Sequence, residues 1–366
     1  MKKAFLITFL LIIGSVLAGC NSEPSQTDTK QSSDSQSSEK LKIYTTIFPI
    51  QDFTKKIGGE HVEVESIYPP NADAHTFDPS TKDMVKLAES DAFIYSGVGL
   101  EGFADKASET LKGEDVSIVK AGEGVELSEA THDHAQEGEA HADDHAHEEG
   151  EAHEEGDTHA DDHTHEEGDA HAYDHAHKEG NAHADDHAHN HGDKDPHIWL
   201  DPMLSIEIAE NIKEALIELK PEAKEDFEKS FTQLKKELET LDAEYHKVIE
   251  ESPKKEILVS HAAYGYWEES YGLEQISVLG LSPTQEPSQK QLQKIIETAK
   301  EHDIKYVIFE SNVSSKISDI VRNEIGAEDL TLSNLESISE DDLKNKEDYF
   351  SLMNKNLETL KKALSK

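Results

Sequence analysis

At 366 residues the chain is long enough for two domains with cores of their own, and 78 acidic against 35 basic side chains leave it a formal net charge of −43. Such a surplus excludes nucleic acid and anionic lipid surfaces as electrostatic partners and makes cations the natural ones. With one cysteine in the whole chain, an intramolecular disulfide is excluded as well.

Residues 1–20 have the layout of an export signal: a Met1-Lys-Lys start, an apolar run from Ala4 to Ile13, then Leu17-Ala-Gly-Cys20. The run is too short for a stable membrane-spanning helix. Leu-Ala-Gly-Cys resembles the lipobox of bacterial lipoproteins, which implies cleavage before Cys20 and lipid attachment there. A lipidated Cys20 leaves metal chemistry to His, Asp and Glu. Residues 21–40 are Ser-, Gln-, Asp- and Lys-rich and nearly free of apolar side chains, so burial cannot repay the entropy of folding them; they are predicted to be a disordered tether.

Folded structure is expected from Leu41. Strands are predicted near Leu41–Phe48, Val62–Tyr68, Ala92–Ser96 and Val116–Val119, with helices near Gln51–Ile57, Thr81–Ser90 and Phe103–Leu111. Asp195-Pro-His-Ile-Trp-Leu-Asp-Pro202 precedes a further clear helix, and its two prolines stiffen the backbone on either side of His197. The most regular helical signal follows. Phe227, Phe231, Leu234, Leu238, Leu241, Tyr245 and Val248 recur every three or four residues between Pro221, which suits a first helical turn, and Pro253, which stops the run. The second half repeats the alternation, with strands near Glu256–Ser260, Gln275–Leu279, Tyr306–Phe309 and Leu330–Leu332. Its helices are predicted near Ala263–Tyr271, Ser288–His302, Ser315–Ile325 and Lys346–Leu364. The fold class is therefore α/β: two lobes, 41–220 and 253–366, each a four-stranded parallel sheet with flanking helices, joined by one long rigid helix over 221–252.

Residues 131–193 interrupt the first lobe. The unit His-Ala-Asp-Asp-His-Ala-His recurs there with small changes from His141, His159, His171 and His183, and from Thr131 to Asp195 there are 22 acids against two bases. Without large aliphatic residues this stretch has no means to build a core, so it reads as a disordered, metal-attracting loop.

Six histidines lie outside it: His61, His75, His197, His246, His261 and His302. Three follow predicted strands of the parallel sheets. His75 comes after the second, His197 after the fourth by way of the insertion, and His261 at the end of the first strand of the second lobe. Ligands of open parallel sheets bind outside the carboxyl ends of the strands, so these three are the candidate metal ligands. A carboxylate would complete a tetrahedral site; Glu336, after the last strand, and Glu310, after the strand before it, compete for that place.

These residues resemble the metal-binding solute-binding lipoproteins of bacterial ABC uptake systems, in their zinc branch. The resemblance rests on Ala74-His-Thr-Phe-Asp-Pro79, Asp195-Pro-His-Ile-Trp-Leu-Asp-Pro202, Ser260-His-Ala-Ala-Tyr264, Gly280-Leu-Ser-Pro-Thr-Gln-Glu-Pro287 and Asn334-Leu-Glu-Ser337. It implies that His75, His197 and His261 bind metal, with Glu336 at the fourth position, where members differ. It further implies a lipid-anchored extracytoplasmic receptor, expected to be a monomer and not an enzyme. Such a receptor carries Zn2+ as transported ligand to an ABC permease and its ATPase. A third imidazole at His261, where the manganese branch has a carboxylate, suits zinc. The rival expectations are a zinc hydrolase, with three histidines and an open position, and a manganese receptor or adhesin of the same fold.

Overall fold

The computed structural model describes residues 39–129, 194–312 and 315–365. The predicted export signal, Cys20, nearly all of the predicted tether and the histidine-rich insertion lie outside the described residues.

In the first lobe the elements are β1 (Leu41–Thr45), α1 (Phe48–Gly58), β2 (Val62–Ser66), α2 (Thr81–Ala88), β3 (Ala92–Tyr95), α3 (Ala104–Leu111) and β4 (Ser117–Lys120). The helices α4 (Pro202–Leu219) and α5 (Lys224–Glu251) follow. The second lobe holds β5 (Glu256–Val259), α6 (Gly265–Tyr271), β6 (Glu274–Ser277), α7 (Gln289–Glu301), β7 (Tyr306–Glu310), α8 (Lys316–Ile325), β8 (Glu328–Leu332), α9 (Glu340–Asn345) and α10 (Tyr349–Ala363). Both sheets are four-stranded and parallel, in the orders β2-β1-β3-β4 and β6-β5-β7-β8, so one topology occurs twice.

Sequence explains the layers. Edge strand β2 alternates buried Val62 and Val64 with exposed Glu63 and Glu65, whereas inner strand β3, Ala-Phe-Ile-Tyr, is buried throughout. Ser80 with Asp83, and Ser288 with Gln291, form reciprocal capping boxes that start α2 and α7. Several predicted boundaries shift by a few residues. The first strand ends at Thr45 and α1 begins at Phe48, because Pro49 fits the first turn of a helix and cannot donate to a sheet ladder. The last helix begins at Tyr349, three residues later than predicted, behind an Asp348–Ser351 capping box; α9 was not predicted at all.

At 28 residues, α5 is about 42 Å long. It buries Phe227, Phe231, Leu234, Leu238, Leu241, Tyr245 and Ile249, so the final step of the stripe is four residues, to Ile249, with Val248 only partly covered. One continuous core runs from Ile43 and Phe93 through Trp199, Tyr245 and Trp267 to Tyr349 and Leu360, crossing from lobe to lobe, while Leu258, Ile295, Val307 and Val321 pack in a smaller cluster of the second lobe. Polar ties reinforce the crossing: Lys56 of α1 pairs with Asp348 at 2.8 Å, and the Tyr349 N–H donates to Asp52 at 3.2 Å. Separating the lobes would expose Trp199, Trp267 and Tyr349, each fully buried, so the fold resists wide opening.

Candidate metal centre

The loops at the carboxyl ends of the two sheets meet in a cleft. His75 lies in the loop after β2, shaped by an Asp73 side chain that accepts from the His75 N–H (2.9 Å) and from the Thr76 hydroxyl (2.9 Å). His197 opens a short turn, Ile198–Leu200, that runs into α4, whose N-cap Asp201 accepts from the N–H groups of Met203 and Leu204. His261 directly follows β5 and Ser260. Glu336 follows β8 in a loop where Leu335 adopts φ +59, a left-handed conformation costly for a branched residue. The Ser333 hydroxyl and the Asn334 side-chain oxygen hold that turn by accepting from the N–H groups of Leu335 and Glu336, aiming the Glu336 carboxylate into the cleft.

One donor atom from each of His75, His197, His261 and Glu336 lies within 4.8 Å of all the others. All four side chains are buried, with no residue more than 3% exposed. Glu336 Oε1 lies 3.3 Å from His75 Nε2 and 3.8 Å from His197 Nε2. Its Oε2 is turned away and accepts from the Ala74 N–H (3.2 Å) and the Asn312 amide (3.4 Å), so a single oxygen faces the imidazoles. The Glu336 backbone carbonyl accepts from the Phe48 N–H, which fastens this second-lobe loop to the start of α1. The structure thus brings together all four residues named from sequence.

Glu310, the competing carboxylate, stands behind His261. Its two oxygens lie 3.0 and 2.9 Å from His261 Nδ1, outside the four-donor cluster. Asp195 does the same for His197: its Oδ1 accepts from the His197 N–H (2.9 Å) and lies 2.7 Å from His197 Nδ1. Sequence reasoning valued Asp195 only for its backbone and missed this contact. The signal was available, since an Asp two residues before a histidine has the reach to bond back to it. A carboxylate on Nδ1 sets the tautomer and leaves Nε2 as the metal-facing donor.

The electrostatics follow from this packing. Burial alone would depress the His261 imidazole, but the charge and hydrogen bond of Glu310 outweigh it and lift the ring to about 9. Burial would raise Glu336, yet the hydrogen bond and charge of His75, with the charges of His261 and His197, hold it down at about 2. Burial pushes Asp195 up to about 7 against the pull of the His197 N–H. Trp199 packs edge-on to the His197 ring at 5.3 Å, and the Tyr264 hydroxyl donates to Glu310 at 3.3 Å; both side chains are fully buried. Trp267 acts further off, donating its indole N–H to the Leu200 carbonyl at 2.8 Å. Three imidazole nitrogens and one carboxylate oxygen, all from buried side chains, are a donor set that suits a four-coordinate divalent cation of the zinc type.

Known proteins are similar to this chain over most of its length. The family described as zinc-uptake complex component A, periplasmic, matches residues 43–363. The chain is 34% identical over 323 residues to the zinc-binding protein AdcA of Streptococcus pyogenes, covering 88% of this chain and 56% of the relative, so it spans about half of that protein's length. It is 30% identical over 336 residues to the high-affinity zinc uptake system protein ZnuA of Bacillus subtilis, covering 92% and 91% of the two chains. The crystal structure of the Zn(II)-bound ZnuA-like domain of Streptococcus pneumoniae AdcA superposes with a TM-score of 0.64 at 28% identity, over 90% of this chain and all of that one. With the match running through both lobes and all four cleft residues, the chain belongs to the zinc-uptake complex component A family.

Proposed function

We propose that this protein is an extracytoplasmic receptor that takes Zn2+ from dilute solution into the cleft between its lobes and hands it to an ABC permease powered by a cytoplasmic ATPase. The observation that carries this reading is the convergence of His75, His197, His261 and Glu336, buried and drawn from both lobes, within 4.8 Å. Here zinc is cargo. Four protein donors leave no coordination position for an activated water, which favours a receptor over a hydrolase. Three nitrogens in four favour zinc over the oxygen-preferring manganese. A lipid on Cys20 would hold the receptor at the outer face of the cell membrane as a monomer.

Titration of the purified mature chain tests the reading directly. One tight zinc site, with manganese bound far more weakly, is expected. Equal affinities for the two metals, or hydrolytic turnover of ester substrates by the zinc-loaded chain, would overturn it.

The insertion over 131–193 has an accessory role in this scheme, as a set of weak zinc sites interleaving imidazoles with carboxylates. Its flanks are described: Glu129 and Lys194 pair in an antiparallel bridge and an ion pair, and the Asp195 N–H donates to the Ser128 carbonyl at 3.0 Å. Because this closure is built outside the insertion, deleting 131–193 is expected to leave the tight affinity within a few-fold of wild type. Equilibrium dialysis should show only the weak sites lost.

A further inference from the structure

We propose that Glu310 and Asn334 form a positioning pair that spaces His261 and Glu336 for a small four-coordinate cation and thereby favours zinc over manganese; this rests on the receptor reading above. Glu310 ends β7, an inner strand hydrogen-bonded to β5 and β8, so it is a stiff place from which to set a ligand. Its carboxylate receives three donors: His261 Nδ1, the Tyr264 hydroxyl (3.3 Å) and the Asn334 amide nitrogen (3.1 Å). The oxygen of the same Asn334 amide accepts from the Glu336 N–H at 3.1 Å, and the Asn334 backbone carbonyl accepts from the Trp199 indole at 2.7 Å. Glu310, Asn334, His261 and Tyr264 are all buried.

The two second-lobe ligands are therefore joined by a short chain of hydrogen bonds, from the His261 ring through Glu310 and the Asn334 side chain to the Glu336 backbone. Each link has one workable polarity. His261 must donate from Nδ1 if Nε2 is to face the metal, so Glu310 must accept there. The Glu336 N–H must be accepted, so Asn334 presents its oxygen to it and its NH2 to Glu310, which must accept again. Only a carboxylate at 310 accepts on both sides. Manganese favours more oxygen ligands in a larger, octahedral shell, which needs His261 and Glu336 to spread. A strut that holds them together works against it.

The polarity argument gives a test by exchange. In Glu310→Gln, the new amide satisfies His261 or Asn334 but not both. In Asn334→Asp, two carboxylates face each other. Each variant is expected to bind zinc about 10- to 100-fold more weakly, with the zinc-to-manganese preference falling by a similar factor. The Co2+-loaded proteins should lose part of the strong visible absorption of four-coordinate cobalt. In the double variant Glu310→Gln/Asn334→Asp the new amide donates to the new carboxylate while its oxygen still accepts from His261. Zinc affinity, metal preference and cobalt spectrum should return to within about tenfold of wild type.

Unchanged zinc affinity and cobalt spectrum in Glu310→Gln, or a double variant as weak as the two losses combined, overturns the pairing while leaving the receptor reading intact. A wild-type chain that binds no zinc overturns the receptor reading and the pairing with it. Circular dichroism of the metal-free proteins checks folding. Should Asn334→Asp not fold, the nearly isosteric Glu310→Gln decides alone.

Discussion

Replacing His197 with alanine is expected to weaken zinc binding by about 100- to 1,000-fold. Structural zinc sites with four protein ligands release about 10–16 kcal/mol on binding, or about 2.5–4 kcal/mol per ligand, and about 1.4 kcal/mol is a factor of ten. His197 is tightly packed within the four: its ring lies 5.3 Å from that of His75 and 5.0 Å from that of His261, and Asp195 backs its Nδ1 at 2.7 Å. Removing it also strips the buried Asp195 carboxylate of its ring partner, leaving it the backbone N–H of residue 197, and a buried carboxylate with fewer partners is costly. Competition against a chromophoric chelator measures the loss, and the zinc-dependent rise in Tm should shrink with it. His246→Ala and His302→Ala are the controls. His246 lies on α5 beside Asp242, and His302 follows α7 beside Glu256, both outside the cluster, so their zinc affinities should stay within about twofold of wild type. Comparable losses at His197 and His302 would remove the cleft from the account.

How far the sequence reveals this site depends on the range over which each residue acts. The strands and helices were legible because burial imposes a period, as in the alternation of Val62 to Val64 and the stripe along α5. His75, His197 and His261 were legible because the end of a parallel strand is a place set by local pattern. What could not be read is what stands behind them. Glu310 against Glu336 is undecidable from spacing, since one ends a strand and the other lies in the loop after one. Only the register of β7 beside β5 puts Glu310 against His261 Nδ1, while the left-handed Leu335 turns Glu336 inward. The continuous core was equally hidden. Chain order separates α1 from α10 by nearly 300 residues, yet Lys56 and Asp348 meet at 2.8 Å. Two lobes that looked independent share one interior.

The pH dependence of zinc binding should be steep, because proton and metal compete for one nitrogen. In the metal-free protein the His261 ring sits at about 9, with Nδ1 against Glu310 and Nε2 3.1 Å from the Leu281 carbonyl, so at neutral pH both nitrogens donate. Zinc requires a bare Nε2 and must displace that proton. Apparent affinity should therefore rise about tenfold per pH unit from pH 6.5 to about 9, and calorimetry in buffers of differing ionisation enthalpy should show at least one proton released per zinc at pH 7.5.

The stability of the metal-free fold should move the other way. His261 is raised above its unfolded value, so its contribution is complete below pH 6.5 and is lost as pH climbs through about 9; that span corresponds to about 3 kcal/mol. Asp195, raised to about 7, acts in the same direction, its share being lost between pH 3.8 and about 7. Glu336, held down at about 2, has the opposite sign: its contribution is present above pH 4.5 and vanishes as pH falls through about 2. Zinc-induced stabilisation, read as the Tm of loaded minus metal-free protein, should consequently widen from pH 6 to pH 9. A constant difference over that interval would mean that His261 already carries a bare Nε2 before zinc arrives. Its bond to Glu310 would then leave the metal nothing to displace.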